Sequence, residues 1–204
     1  MAILGLDVYG FLLALVIAFI SYNYGGLNYL ILLLSFFLLS MHATSLGYRK
    51  KYVMKIYDHK RGLSNVLSNG LFPALFSYLN MPYAFAGSVA AITADKFASE
   101  IGVLGNEPIE LFTWKKTRIG ASGAVSKLGL IASFTGSLTI AVISAYLFNL
   151  SNYQALIIAI SGFIGSFADS IAGFFEERGF GNKATSNLIC SIVGGVVSHL
   201  FLNI

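Results

Sequence analysis

Three charged residues lie inside one apolar segment of the sequence. They are Asp95, Lys96 and Glu100, within residues 83–104, and Ser99 lies among them. In a helix each residue turns by 100°, so these four side chains share an arc of about 140° and leave the opposite face apolar. An ionisable group is costly inside an apolar helix and usually faces a protein interior or a wet cavity. Lys96 and Glu100 are also spaced to neutralise each other, which would leave only Asp95 to explain.

Polar residues recur at helical spacing in three further apolar segments. The candidates are Arg61, Asn65 and Asn69 in the first of these, Ser166, Asp169 and Ser170 in the second, and Asn187 at the start of the last. Asparagine side chains at such depth either join helices by hydrogen bonds or bind a polar ligand. Because these residues share one depth with Asp95 and Glu100, we interpret them as parts of one site.

A basic connection follows the charged segment. It reads Thr-Trp-Lys-Lys-Thr-Arg-Ile-Gly-Ala-Ser-Gly-Ala-Val-Ser-Lys over residues 113–127. Free N–H groups at a helix N-terminus bind phosphate, so a Gly-x-x-Gly turn that opens a helix suits a phosphorylated ligand. The spacing differs from that of a Walker A motif. Acidic residues opposite basic ones at a membrane surface suit Mg²⁺ bound to a polyphosphate.

The elements that must position these residues are membrane-spanning helices. Of 204 residues, 56% are hydrophobic and 11% are charged, a composition outside the range of soluble domains. A helix needs roughly 20 apolar residues to cross a bilayer. We therefore predict an all-α, polytopic transmembrane bundle of about seven helices that forms one domain over residues 1–204. The predicted helices lie near 4–22, 28–47, 63–79, 83–104, 122–148, 152–175 and 187–203.

The Lys and Arg residues indicate the orientation of these helices. They cluster in the connections at 49–61, 113–118 and 178–183, whereas the connections at 24–28, 80–82 and 149–152 carry no charge. Because basic loops stay on the cytoplasmic side, we predict an integral membrane protein with a cytoplasmic N-terminus and a cytoplasmic site. Contact with anionic membrane lipid explains the formal net charge of +4, so no nucleic-acid partner is expected.

Four segments carry a resemblance to a known family. They are Arg-x-x-x-Asn-Val-Leu-x-Asn-Gly at 61–70, Ala-Asp-x-x-Ala-Ser-Glu-Ile-Gly at 94–102, Gly-x-x-Gly-x-Val-Ser at 120–126 and Gly-Ser-x-x-Asp-Ser-x-x-Gly at 165–173. In this order they resemble the integral membrane family known as domain of unknown function 92, which includes plant phytyl-phosphate kinase and animal transmembrane protein 19. The run at 94–102 is the most specific. The chain departs from the family pattern at Lys96, Ala121 and Ala124, where Thr, Thr and Gly are usual.

The resemblance implies a kinase that uses CTP to convert an isoprenoid monophosphate, phytyl or geranylgeranyl phosphate, to the diphosphate. From the chemistry of phosphoryl transfer we assign Asp95, Glu100 and Asp169 as the catalytic residues that hold Mg²⁺. The substrate and the nucleotide would be bound by Arg61, Asn65, Asn69, Lys96, Ser99, Lys115, Lys116, Arg118, Gly120, Ser122, Gly123, Ser126, Ser166, Ser170 and Asn187. Such a donor set suits phosphoryl transfer, in which positioning and charge neutralisation matter more than a strong base.

The residues leave other functions open. Another CTP-dependent lipid enzyme, such as a cytidylyltransferase, would use the same groups but release pyrophosphate. A small-solute or ion transporter would use Asp95, Lys96 and Asp169 as a relay, and a structural role would make them helix contacts. The Asp-Gly-x-x-Ala-Arg signature of CDP-alcohol phosphotransferases is absent from the sequence. Prenyl chain length, the choice between CTP and ATP, and the formation of a homodimer also stay open.

Overall fold

The computed structural model describes residues 5–56, 62–105 and 107–203. Its helices are α1 (Val8–Ile20), α2 (Leu27–Ser45), α3 (Tyr48–Val53), α4 (Leu63–Tyr78), α5 (Pro82–Gly102), α6 (Lys127–Phe148), α7 (Asn152–Glu176) and α8 (Lys183–Leu202). A π-helical turn, Ser21–Gly25, continues α1, and the short antiparallel strands β1 (Ile109–Glu110) and β2 (Ala124–Val125) lie between α5 and α6. The predicted all-α transmembrane bundle is confirmed.

Five stretches of the described chain are long and apolar enough to cross a membrane. They are Val8–Gly25, Leu27–Ser45, and the whole of α6, α7 and α8. The sequence also predicts crossings for α4 and α5. Helix α4 has 16 residues, or about 24 Å at 1.5 Å per residue, against ~30 Å of hydrocarbon. Helix α5 is long enough but carries three charged residues. Seven crossings, with a cytoplasmic N-terminus, therefore stay a prediction.

Helix α5 is the central helix of the bundle. It packs against α2, α4, α6, α7 and α8. Its buried residues are mostly small, so neighbouring backbones approach closely: a Cβ atom on Gly87 would lie 2.4 Å from the carbonyl oxygen of Gly194 in α8. Lipid tails are as apolar as the side chains, so close packing of small residues takes the place of the hydrophobic effect between helices. The charged residues near the C-terminal end of α5 are therefore surrounded by other helices of the bundle.

The two ends of the bundle differ in polarity. The end with the α2–α3, α5–α6 and α7–α8 connections is termed the charged end. Every described Lys and Arg lies in these connections or within about two helical turns of them. Toward the opposite end the core is an apolar cluster that includes Tyr29, Phe85, Ile140 and Ile158. Polar ligands can therefore find charged partners only at the charged end of the described structure.

Helix α6 begins later than the sequence predicts. The predicted start is residue 122, but Gly120 and Gly123 have φ values of 83° and 72°, and residues 124–125 form β2. A left-handed residue cannot continue a right-handed helix. The helix starts only after Ser126, whose Oγ accepts a hydrogen bond from the N–H of Gly129 at 3.0 Å. Residues 107–126 thus form a β-paired loop, termed the strap.

Two other helix boundaries place lysines at the charged end. Helix α8 begins at Lys183 and not near residue 187, because the Asn182 side chain caps it by accepting from the N–H groups of Ala184 and Thr185 at 3.0 and 3.2 Å. The short helix α3 is not predicted by the sequence. It follows a turn at Gly47, where φ is 64°. These two boundaries decide where Lys183 and Lys51 lie.

Candidate functional site

The helices at the charged end and the strap enclose a cavity of about 430 Å³, termed the polar cavity. Twelve of the predicted site residues line it. They are Asn65, Asp95, Lys96, Ser99, Glu100, Gly120, Ser122, Gly123, Ser126, Ser166, Asp169 and Ser170. The segments 94–102, 120–126 and 165–173, which are far apart in sequence, therefore meet around one space. Two lysines that the sequence did not predict for the site, Lys51 and Lys183, also line the cavity.

Glu100 is neutralised by two lysines. Its Oε1 accepts from Lys96 Nζ at 2.7 Å, so the predicted i,i+4 pair is present. Its Oε2 accepts from Lys51 Nζ at 2.8 Å, and the hydroxyl of Thr44 donates to Oε1 at 3.0 Å. Charge-assisted hydrogen bonds of this length are strong. This carboxylate is therefore engaged by cations of the protein itself.

Lys51 is almost fully buried, with a side-chain exposure of 1%. Besides Glu100, its ammonium group donates to the carbonyl oxygens of Ala43 and Thr44 at 3.2 and 2.8 Å, at the C-terminal end of α2. All three donors of the ammonium group thus have partners. In the sequence Lys51 is one of three consecutive basic residues with Arg49 and Lys50, and nothing local distinguishes it. Only the turn into α3 points it back into the bundle.

Asp95 and Asp169 form the second charged cluster. The carboxyl group of Asp95 lies beside that of Asp169, and both interact electrostatically with Lys183. Lys183 Nζ lies 2.9 Å from Asp169 Oδ2. Asp169 is buried, with a relative exposure of 4%, and its Oδ1 accepts from no N–H donor or hydroxyl among the described residues. The carboxyl group of Asp95 lies within hydrogen-bonding reach of Asp169. An ionised oxygen in that position is costly unless a cation or a donor completes it.

The two clusters give the cavity an uneven charge. Glu100 with Lys51 and Lys96 has one carboxylate and two ammonium groups, a formal charge of +1. Asp95 and Asp169 with Lys183 have two carboxylates and one ammonium group, a formal charge of −1. The clusters lie on different faces of α5, because Asp95 and Glu100 are five residues apart and thus turned by about 140°. One side of the cavity suits an anion and the other suits a cation.

The structure does not gather Asp95, Glu100 and Asp169 into one metal centre. Among the described residues, no group of three or more His, Cys, Asp and Glu side chains is placed to hold a metal ion. The helical angle between Asp95 and Glu100 and the lysines on Glu100 are the physical reasons. The remaining Asp95–Asp169 pair, with the buried Oδ1 of Asp169, fits Mg²⁺, which in phosphate-binding sites uses one or two carboxylates and takes further ligands from phosphates and water.

Several predicted binding residues lie elsewhere. Lys115, Lys116 and Arg118 do not line the polar cavity. The ammonium group of Lys116 pairs with Glu107 at 2.7 Å and the guanidinium of Arg118 with Glu177 at 2.9 Å, both on the exposed face of the strap. Asn69 lies in a separate apolar groove, and the buried Asn187 donates to Ser68 Oγ at 3.4 Å. Arg61 lies outside the described residues.

Backbone contact holds the strap against α7. A Cβ atom on Gly123 would lie 2.4 Å from the amide nitrogen of Phe174, and one on Gly173 would lie 2.5 Å from the amide nitrogen of Gly123. The N–H of Ser122 donates to Glu177 Oε1 at 2.9 Å, and its hydroxyl donates to Glu176 Oε1 at 3.0 Å. The predicted phosphate-binding turn therefore already has one N–H bound to a carboxylate of the protein.

An ion pair at β1 also attaches the strap. Arg178 lies 2.8 Å from Glu110 Oε1. The hydroxyl of Thr113 and the guanidinium of Arg178 lower the pKa of Glu110 from its usual 4.5. Because the pKa is lowered in the folded protein, this contact stabilises the strap fully above about pH 4.5 and is lost as pH falls through the lowered value.

Gly123→Ala is expected to release the strap. It adds a left-handed alanine, which costs roughly 1–2 kcal/mol, and a clash with α7. A cost of about 1.4 kcal/mol raises the population of the released strap about tenfold. Because trypsin cuts the released form, cleavage at Lys115, Lys116 and Arg118 should be about tenfold faster. Gly173→Ala should do the same from α7 without the left-handed cost. Gly179→Ala has a left-handed φ but no atom within 4 Å, so unchanged cleavage is expected there. Equal cleavage of all four proteins would show that this contact does not hold the strap.

Comparison with known proteins agrees with this picture of the fold. The family model for the integral membrane protein family DUF92 matches residues 3–195. An uncharacterized membrane protein of Methanocaldococcus jannaschii is 37% identical in an alignment that covers 96% of this chain and 85% of that protein. No solved structure matches the chain significantly. The motifs that line the polar cavity fall within the matched range, and the chain belongs to the DUF92 family of integral membrane proteins.

Proposed function

We propose that this protein is a CTP-dependent kinase of an isoprenoid monophosphate, acting at the cytoplasmic face of the membrane and releasing the prenyl diphosphate. The observation that carries the proposal is the polar cavity with its two oppositely charged clusters. Its volume of about 430 Å³ falls within the range of small-molecule sites. All four segments on which the family resemblance rests contribute to its lining, the segment at 61–70 through Asn65.

Asp95 and Asp169 would hold Mg²⁺, which, when bound, would neutralise charge on the nucleotide phosphates. With Lys183, the two carboxylates form a cluster of formal charge −1. Binding of a divalent cation would change the charge of this cluster to +1. On the other side, Lys96 presents a cation that Glu100 only partly neutralises. Both sides of the cavity would then attract phosphate oxygens. The hydroxyls of Ser99 and Ser126 also line the wall, where they donate to the carbonyl oxygens of Lys96 and Gly102.

No residue is needed as a strong base. A phosphate monoester has a second pKa of about 6, so it is mostly dianionic at neutral pH. One of its oxygens would attack the γ-phosphorus of CTP, forming a new P–O bond while the bond to the bridging oxygen breaks and CDP leaves. The protein's task is then to align the two phosphates and to stabilise their combined charge.

The direct test is transfer from γ-labelled CTP, with ATP in parallel, to geranylgeranyl monophosphate by the purified protein with Mg²⁺. Label in a prenyl diphosphate is the expected result. A parallel reaction with α-labelled CTP identifies a cytidylyltransferase, since label would then enter the lipid and pyrophosphate would be released. No transfer to several prenyl phosphates would contradict the proposal.

The alternative of a transporter has a different signature. It predicts flux in proteoliposomes without consumption of nucleotide and requires polar access from both ends of the bundle. The described charged residues all lie toward one end, which favours an enzyme that works at one face.

The structure places Lys116 and Arg118 outside the polar cavity and Lys183 in its lining, which leads to a specific prediction. Lys116→Ala and Arg118→Ala should each change kcat/KM for CTP less than about fivefold, because exposed ion pairs are worth about 1 kcal/mol or less. Lys183→Met should lower it by about 10²-fold or more, as expected for an electrostatic group inside a site. Steady-state kinetics with Mg²⁺ held saturating measures both. A larger loss of kcat/KM in Lys116→Ala and Arg118→Ala than in Lys183→Met would show that the strap binds the phosphates.

A further inference from the structure

A second cavity, of about 310 Å³, lies between α1, α2 and α4. We term it the apolar groove. Leucine, isoleucine and phenylalanine side chains from the three helices form most of its wall, and Ala14 and Ala18 on α1 leave space in it. The polar groups in its lining come from Asn65 and Asn69 on α4. The groove is therefore apolar along most of its length and polar where α4 approaches the charged end.

The groove and the polar cavity share one residue. Asn65 lines both of them, and it stands in the first turn of α4 after Gly62. Asn69 lies one turn deeper and donates to the Asn65 carbonyl oxygen at 2.8 Å. The two cavities therefore adjoin at Asn65, which places the apolar groove next to the polar cavity where the head of an amphipathic molecule would lie.

The surroundings of the groove suit entry from the bilayer. Only 17% of Val8–Gly25 and 28% of Leu27–Ser45 is buried within the protein, against 39–44% for α6, α7 and α8. By this measure α1 and α2 are the most peripheral of the five candidate spans in the described chain. An apolar chain can move from the membrane into the groove without crossing water, so its transfer carries no cost of exposing apolar surface.

We propose that the apolar groove binds the hydrocarbon chain of a phosphorylated lipid, with its phosphate placed beside Asn65 in the polar cavity. This inference rests on the proposed function, and it assigns the tail site of that substrate. It commits to a single-chain lipid phosphate. Bulk phospholipid that fills the groove as part of the annulus is the other outcome of the test.

The experiment is photo-cross-linking with geranylgeranyl monophosphate that carries a diazirine at the end of its chain. The full-length protein in phospholipid nanodiscs is irradiated without nucleotide, and the labelled peptides are mapped by mass spectrometry. Label is expected on α1, α2 and α4, and unlabelled geranylgeranyl monophosphate should compete while excess phospholipid should not. Label confined to other helices, or displaced equally by phospholipid, would overturn the inference.

Filling the groove gives a second measurement. Ala18→Phe and, independently, Ala14→Phe place a ring in the space and should reduce labelling at least tenfold. Val16→Phe is the matched control, because Val16 is on the same helix, does not line the groove and is exposed to lipid. It should label like the wild type. Equal labelling of the filled variants and the control would contradict the proposal. If a filled variant does not fold, the positions of the label in the wild-type protein test the proposal instead.

Kinetics separate this inference from the proposed function. Ala18→Phe should raise the ratio of KM for geranylgeranyl monophosphate to KM for a five-carbon prenyl monophosphate at least tenfold, whereas the control Val16→Phe should keep the wild-type ratio. Groove labelling without transfer from any nucleotide would overturn the proposed function and keep the groove as a lipid-phosphate site. Normal transfer with no effect of the filled variants would overturn the groove alone.

Discussion

Asp169→Asn is expected to lower phosphate transfer by on the order of 10³-fold or more while the bundle stays folded. The substitution keeps the side-chain volume but removes the charge of a carboxylate whose buried Oδ1 accepts from no N–H donor or hydroxyl among the described residues. Removing one preorganised electrostatic group from a reaction site typically costs 10²–10³-fold, and loss of a Mg²⁺ ligand adds to that. In this variant the ammonium group of Lys183 still interacts with the carboxyl group of Asp95, so it is not left without a counter-charge. Transfer from γ-labelled CTP and a thermal unfolding curve are the two measurements.

The matched control for Asp169 is Glu107→Gln. It makes the same change from carboxylate to amide on the exposed strap, where the lost pair with Lys116 is more than two-thirds exposed on both sides. It should leave turnover unchanged. Near-normal transfer by Asp169→Asn would remove Asp169 from the site. Loss of the folded bundle would assign it a structural role together with Lys183.

Lys51→Met is expected to destabilise the protein by about 3 kcal/mol. Breaking a buried ion pair by removing one partner typically costs 3–5 kcal/mol, and here the lower end applies because Glu100 keeps Lys96. The carbonyl oxygens of Ala43 and Thr44 also lose a donor. Reversible unfolding of the purified protein in detergent measures the change.

Lys50→Met tests whether burial is the reason for the effect of Lys51. Lys50 is the adjacent residue, is exposed and donates to the carbonyl oxygen of Leu104 at 2.8 Å. Its substitution should cost less than about 1 kcal/mol, as is usual at the surface. Combining Lys51→Met with Glu100→Gln should recover part of the loss, because the two residues share one network. Equal stability of the Lys51 and Lys50 variants would show that the buried Lys51 contributes no more to the free energy of unfolding than the exposed Lys50.

The position of the site was predictable because ionisable residues are uncommon in apolar segments and therefore mark functional positions. Asp95 and Asp169 are conspicuous in such surroundings, and a shared depth in the helices is enough to bring them to one end. The departure of α6 and α8 from their predicted bounds did not affect this. Depth along a helix changes by only 1.5 Å per residue, so small errors in a boundary are tolerated.

The partners of those residues were not predictable. The sequence assigned the phosphate-binding charges to Lys115, Lys116 and Arg118 because they stand next to two glycines. In the structure Lys116 and Arg118 form ion pairs on the outer face of the strap, Lys115 does not line the cavity, and Lys51 and Lys183 line it instead. Neither lysine has a local signal, since one stands in a basic run and the other in an apparent loop.

The sequence by itself determined the membrane bundle, its polarity and the end at which the acidic residues meet. These follow from hydropathy, length and charge distribution, which are local properties that act over whole helices. Only the tertiary structure decided which cation meets which carboxylate. A single turn at Gly47 or a cap at Asn182 swings a long side chain into or out of the cavity, and a hydrogen bond of about 2.8 Å depends on that placement.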